Sequence, residues 1–351
     1  MGSMRTTLPV HPLDLEPFRT GGPADRREVA QLLDEACRDT GFLVVTGHGV
    51  PQATCDAALD AFAGFFDRPE GEKRAVIVDD PSANRGYSAL GQEGLSYSRG
   101  EESPRDLFEA FNVGSEDTDG EYYERHRSFF APNTWPTEPG HLRDAWREYD
   151  RAVTVVADTI LEAMAIALDL PEQWFVERCE HAIITTRAIN YERRADTPDP
   201  VEGQMRMGAH TDYGILTVLL ADDVPGLQVF RDGTWHDVTT PRGGFVCNLG
   251  DMLARWTNDR WISTLHRVVP PPVGSTGSVR RRSIARFLDC PPDLVVETIP
   301  SCIDANHPVR YEPVNAGEWL RAKVLGSRAL QLNDADDIAV SGRDSVSGGP
   351  S

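Results

Sequence analysis

Seven short runs between Ala182 and Leu288 decide the fold: AIITTRAINY (182–191), ILTVLL (215–220), LQVF (227–230), WHDV (235–238), GFVCNL (244–249), HRVV (266–269) and RSIARFL (282–288). They are rich in β-branched and aromatic side chains, and turn signals such as Pro225-Gly226 and Asp232-Gly233 lie between them. Short strands in such succession predict a β sandwich or jelly roll.

The flanks read differently. From His141 to Leu170, the residues Leu142, Trp146, Tyr149, Val153, Val156, Ile160 and Met164 recur every three or four positions, one apolar stripe suited to lie along a sheet. Upstream, Val29, Leu32, Leu33 and Ala36, then Ala58, Phe62 and Phe65, take helical spacing on either side of the strand-like Gly41-Phe42-Leu43-Val44-Val45. Residues 80–140, rich in Gly, Pro, Ser and acidic side chains, read as long loops with short elements, and Glu318 to Leu332 as a closing helix. The expectation is a mainly β chain with flanking helices and one core. Its parts are an N-terminal α/β region (4–115), a loop and long supporting helix (116–180), the β core (181–300), a C-terminal helical segment (301–335) and a disordered tail (336–351). Met1-Gly2-Ser3-Met4 reads as an added leader and is set aside.

Composition narrows the function. At 351 residues, 40% hydrophobic and 26% charged, the chain can bury a large core. A net charge of −20 opposes nucleic acid or an anionic membrane as partner, since both are polyanions, and leaves a small molecule as the expected one. Neither a membrane-spanning run nor a signal peptide is evident, which makes the cytoplasm the expected location. The six cysteines form no CxxC pair and read as reduced core residues. Lysine occurs only at 73 and 323, an arginine bias that points to a GC-rich bacterial source.

His210-Thr211-Asp212 places two metal-capable side chains two apart, which on an extended backbone aims both to one side. His266, opening the run HRVV, supplies a third, and two His with one carboxylate is the set that leaves three positions open on iron. With nine histidines in the chain, one His-x-Asp is expected by chance, and a lone strand His is ordinarily a hydrogen-bonded structural residue. Arg281-Arg282-Ser283-Ile284-Ala285-Arg286-Phe287 adds weight. Alternation puts Arg281, Ser283, Ala285 and Phe287 on one face, so a guanidinium and a hydroxyl converge as donors for the distal carboxylate of a small dicarboxylate. Arg282, Ile284 and Arg286 face the other way. Apart from the metal motif, the arginines at 280–282 read as a solvated basic cluster.

In-order motifs extend this pattern from about residue 10 to 290. They are Gly41-Phe42-Leu43-Val44-Val45, His48-Gly49-Val50-Pro51, Arg85-Gly86-Tyr87, Asp106-Leu107-Phe108-Glu109, Asn190-Tyr191, His210-Thr211-Asp212-Tyr213-Gly214, Asn248-Leu249-Gly250-Asp251, Trp256-Thr257-Asn258, Ser263-Thr264-Leu265-His266-Arg267-Val268 and Arg281-x-Ser283. The chain thereby resembles the isopenicillin N synthase-like family of iron(II)/2-oxoglutarate-dependent oxygenases. The resemblance implies a double-stranded β-helix, with His210, Asp212 and His266 as iron(II) ligands and catalytic centre. It places Arg281 and Ser283 on the far carboxylate of 2-oxoglutarate, with Tyr191 adding a hydrogen bond and Asn190 competing for that role. It further implies O2 as cosubstrate, succinate and CO2 as products, and oxidation, by default hydroxylation, of a small molecule; with a GC-rich bacterial source, specialised metabolism is the expected setting. Arg85, Tyr87, Phe108, Phe111 and Phe287 are the residues in which to seek substrate contacts.

His48 reads as a turn or packing residue, Asn248 and Asp251 as organisers of a bend, and Trp256 as core. Two departures from the family pattern are Arg286-Phe287 where many relatives have Phe-Phe, and Glu192-Arg193-Arg194 in place of the usual Pro after Asn-Tyr. Alternatives on the same scaffold stay open: an iron oxidase that grips a substrate carboxylate instead of 2-oxoglutarate, fragmentation of 2-oxoglutarate as in ethylene-forming relatives, and a silent binding protein. A zinc hydrolase would leave Arg281 and Ser283 unexplained.

Overall fold

The computed structural model describes residues 10, 12–80, 83–92, 94, 104–192, 203–271 and 280–328. The tail from 336 and the end of the closing helix beyond Arg328 lie outside the described residues.

Among the described residues, twelve strands build the two main sheets: β1 (Pro12–Asp14), β2 (Phe42–Thr46), β3 (Gly86–Ser88), β4 (Glu109–Gly114), β5 (Ile184–Tyr191), β6 (Met207–His210), β7 (Leu216–Ala221), β8 (Leu227–Arg231), β9 (Thr234–Asp237), β10 (Phe245–Leu249), β11 (His266–Val268) and β12 (Arg281–Leu288). The larger sheet runs β1-β2-β10-β7-β12-β5-β4-β3, antiparallel apart from the β1–β2 pair, and the smaller runs β6-β11-β8-β9. From β5 to β12 the chain shuttles between them, with β5, β7, β10 and β12 in the larger sheet and β6, β8, β9 and β11 in the smaller. This is the jelly roll expected from the seven runs. The eighth strand, β6, reads Met-Gly-Ala-His and has no β-branched residue to announce it. The N-terminal strands extend both edges of the larger sheet, β1 and β2 beyond β10, β4 and β3 beyond β5.

Alternation along the larger sheet separates two cores. Phe42, Val44, Val246, Ile189 and Tyr191 point between the sheets, where they meet Met207, Leu227, Val229 and Val268. Leu43, Val45, Phe245, Cys247, Leu216, Val218 and Ile284 point the other way, into a core shared with the helices. There the helix Leu142–Ala167 lays its stripe of Trp146, Tyr149, Val153, Val156, Ile160 and Met164 across the sheet, flanked by the helices Pro23–Asp39 and Gln52–Phe66. The β8–β9 hairpin closes through Asp232 and Gly233, both at positive φ, as a two-residue turn with this pair requires. All six cysteines are free, five of them buried. No helix among the described residues is long and apolar enough to cross a membrane.

Candidate active site

β6 and β11 are neighbours in the smaller sheet, and their register sets His210 directly opposite His266. Asp212 follows two residues after β6, in the turn to β7. Its backbone is pinned because the first amides of the helix Asp251–Trp256 donate to this turn: Asp251 N to Asp212 O at 2.8 Å and Met252 N to Tyr213 O at 3.0 Å. One Asp212 oxygen, Oδ1, lies 3.8 Å from His210 Nε2 and 3.7 Å from His266 Nε2. The three ligand atoms lie within 4.8 Å of one another, the span a single metal ion can bridge.

The orientation of each group suits that use. His210 Nδ1 donates to Gly208 O at 2.8 Å and His266 Nδ1 to Thr264 O at 3.0 Å, so the Nε2 lone pairs are left facing Asp212 Oδ1. Asp212 Oδ2 accepts from Thr217 Oγ1 at 2.5 Å and from Asn248 Nδ2 at 2.6 Å, which frees Oδ1. Burial, then the neighbouring His266, pushes His210 down to about 4, leaving its imidazole neutral at neutral pH. Burial works against the Asp212 carboxylate, but the two histidines and the Thr217 and Asn248 bonds outweigh it and hold the group below its usual range. Two imidazoles and a carboxylate, all buried, form a donor set for a divalent first-row metal with open positions.

A second cluster stands on the larger sheet. β12 pairs with β5 so that Arg281 is opposite Tyr191 and Ser283 opposite Ile189. Arg281 is 3% exposed, its guanidinium lies 5.3 Å from the Tyr191 ring centroid, and no carboxylate among the described residues is within ion-pair distance. Among the described residues, Arg281 Nε and Ser283 Oγ are buried without a hydrogen-bond partner, and the Tyr191 hydroxyl is aimed at Met207 Sδ, a weak acceptor, at 3.7 Å. Arg206 stands behind, donating to Tyr191 O at 3.3 Å; burial and then Arg281 lower it to about 10. A buried, unpaired guanidinium beside a second one and a free hydroxyl is a site that wants an anion, and a small carboxylate fits it. The outer arginines behave otherwise: Arg280 pairs with Asp67 at 2.8 Å and Arg282 with Asp60 at 3.1 Å, on the helix side of the sheet.

Both clusters open on one cavity of about 460 Å³, walled by apolar residues such as Phe42, Ile189, Leu219 and Val268. Of the residues singled out from sequence, His210, Asp212, His266, Arg281, Ser283, Tyr191, Arg85 and Phe287 line it. Arg85 does so as part of the frame: its guanidinium donates to the carbonyls of Ala83, Asn84, Phe129 and Ala131, and burial lowers it to about 10.

Four residues lie elsewhere. Asn190, one residue out of phase with Tyr191, points to the helix side, where it donates to Glu109 Oε1 at 2.8 Å and accepts from Arg280 Nε at 2.8 Å. Tyr87 joins the same buried network, its hydroxyl and Lys73 Nζ each donating to Glu109 Oε2 at 2.6 Å. Phe111 packs on Phe65 of the helix Gln52–Phe66, ring centroids 4.7 Å apart, because alternation on β4 turns it outward. Phe108 stands edge-on behind Tyr191 at 6.1 Å, inside the core between the sheets and off the cavity wall.

Asn248, expected to organise a bend, instead holds Asp212. His48 is the turn residue expected, bonded to Gly243 O at 2.6 Å and to Val50 N at 3.1 Å. Thr217, Arg187, Asp289 and Arg321 also face the site or its cavity, and no motif announces them; for Arg187 and Asp289 the only signal is strand alternation from Tyr191 and Arg281.

Residues 9–138 match the family described as non-haem dioxygenase in morphine synthesis N-terminal, and residues 179–289 match the 2OG-Fe(II) oxygenase superfamily. The 2-oxoglutarate-Fe(II) type oxidoreductase hxnY of Emericella nidulans is 33% identical over 314 residues, 88% of this chain and 87% of that one. Validamycin A dioxygenase of Streptomyces hygroscopicus subsp. limoneus is 32% identical over 325 residues, 91% of this chain and 86% of that one. Among solved structures, Neurospora crassa T7H in complex with alpha-KG superposes with a TM-score of 0.79 at 28% identity, covering 92% of this chain and 98% of that one.

Proposed function

The chain belongs to the 2OG-Fe(II) oxygenase superfamily, using iron(II), 2-oxoglutarate and O2, and from that premise we propose which residues do the work and on what class of molecule. His210, Asp212 and His266 hold the iron. Arg281 and Ser283 take the far carboxylate of 2-oxoglutarate, with the Tyr191 hydroxyl beside it. The substrate is a small molecule, and hydroxylation of one of its C–H bonds is the reaction.

When bound, iron(II) and 2-oxoglutarate supply an O2-dependent oxidation that couples conversion of 2-oxoglutarate to succinate and CO2 with oxidation of the substrate. The chain's own residues do the positioning. Thr217 and Asn248 fix the Asp212 carboxylate so that a single oxygen faces the metal position. Gly208 O and Thr264 O fix both imidazoles in the tautomer that can ligate. Phe42, Leu219 and Val268 keep the space between the two clusters apolar, which strengthens the pairing of Arg281 with a carboxylate and limits water. A cavity of about 460 Å³ accommodates a small cosubstrate together with a small substrate.

The observation that carries this reading is the buried Arg281, without a carboxylate partner among the described residues, in the same cavity as the His-Asp-His cluster. Its test is an anaerobic titration with iron(II) and then 2-oxoglutarate, following the weak visible charge-transfer band of the chelate. The wild type is expected to give the band, and His210→Ala to lose it. Arg281→Ala is expected to need roughly 10–100-fold more 2-oxoglutarate, the equivalent of about 1.5–3 kcal/mol for a hydrogen bond to a charged group. An Arg281→Ala variant that saturates like the wild type would remove Arg281 from the cosubstrate site.

A further inference from the structure

The inward face of β12 continues past the strand's end: Arg281, Ser283, Ala285, Phe287 and then Asp289 all line the cavity. At about 3.3 Å per residue the first and last of these stand roughly 26 Å apart along the chain. The His-Asp-His cluster lies toward the Asp289 end, because Phe287 pairs with Thr217, whose hydroxyl holds Asp212. The cosubstrate's carboxylate site is thus at one end of this face, and Asp289 is at the other, beside the turn that carries Asp212.

Asp289 is 9% exposed, and no donor among the described residues reaches its carboxyl. Its side chain rests on Gly214, where an added Cβ would collide with Asp289 Oδ1, so the glycine makes the room it occupies. Burial, then the nearby Asp212, raises it to about 7. A buried carboxyl without a donor is costly, and a ligand that brings a donor or a positive charge removes that cost. On the adjacent strand β5, the guanidinium of Arg187 faces the same cavity, opposite Ala285 in register and 5.1 Å from the Phe108 ring. A carboxyl and a guanidinium therefore face one space next to the metal position.

We propose that Asp289 anchors the substrate through a cationic nitrogen, and that, with Arg187 facing the same space, the substrate class is a zwitterion bearing both an amine and a carboxylate. This rests on the oxygenase reading above, since it places the substrate on the side of the metal away from 2-oxoglutarate. The carboxyl and guanidinium would then orient the molecule so that the C–H bond between them and the metal is set by the distance from amine to carboxylate.

The holoenzyme, loaded with iron(II) and 2-oxoglutarate under argon, is titrated calorimetrically with L-lysine, L-proline and 4-aminobutyrate, each beside its fully N-acetylated form. At least one amine is expected to bind the wild type tenfold or more tightly than its acetylated counterpart. That preference is expected to vanish in Asp289→Asn and in the smaller Asp289→Ser, both of which keep the visible 2-oxoglutarate band. Failure of every amine to bind the wild type, or equal preference in both variants, overturns the proposal. A wild type that forms no band with 2-oxoglutarate overturns the oxygenase reading itself, and the zwitterion assignment with it.

Discussion

Asp212 performs two jobs with its two oxygens, and the division is enforced from outside the residue. Thr217 and Asn248 both bond Oδ2, so Oδ1 is turned toward the histidines. Partners that orient a ligand in this way ordinarily set metal affinity within 10–100-fold. Asn248→Ala is therefore expected to weaken iron(II) binding by roughly that factor, read by competition against a chelator of known affinity under argon. Unchanged affinity would show that Thr217 alone suffices to hold the carboxylate. The inward direction of Asn248 was legible, since it shares its face of β10 with Val246. Its partner was not, because the contact with Asp212 exists only once β10 pairs with β7.

β12 is where strand period translates into function. Its odd positions face the cavity, and its even positions face the helices: Arg282 meets Asp60 of the helix Gln52–Phe66, and Arg286 meets Asp150 at 3.1 Å and Thr154 Oγ1 at 2.8 Å on the helix Leu142–Ala167. Arg286, the departure from the family's Phe-Phe, is thus a strand-to-helix tie. Asp150 keeps some contact with water, so removing the tie is expected to cost about 1–3 kcal/mol, below the range for a fully buried pair. Urea unfolding of Arg286→Ala should show that loss with an unaltered 2-oxoglutarate titration; a weakened cosubstrate would mean the outer face also governs the inner one. The same two-residue period explains why Tyr191 reaches the cavity and Asn190 does not, a choice that Asn-Tyr in sequence left open.

The two sheets contribute different halves of the site. His210 and His266 belong to the smaller sheet, Arg281, Ser283 and Tyr191 to the larger, and Asp212 to a turn between them. Loading the site therefore ties one sheet to the other, and ligand binding adds to the stability of the whole fold. At a hundredfold excess over the dissociation constant the gain is about 2.7 kcal/mol. Iron(II) with 2-oxoglutarate is accordingly expected to raise the melting temperature by several degrees under argon, and His210→Ala to abolish the rise. Equal shifts in both proteins would point to metal bound elsewhere.

The strand-rich core, the helix that covers it, the metal-capable triad and the Arg-x-Ser face could all be read from the amino-acid order. These depend on side-chain period and on residue chemistry, both of which are local. Which neighbours each of those residues meets depends instead on how distant segments pair in space. Phe111 was legible as apolar but not as facing helix or cavity; Tyr87 and Asn190 were drawn into a buried network around Glu109 by strands that lie far apart in the chain. Thr217, Asn248 and Asp289 gained their places from strand register, and register is set by pairings between segments whose order in space no local pattern records.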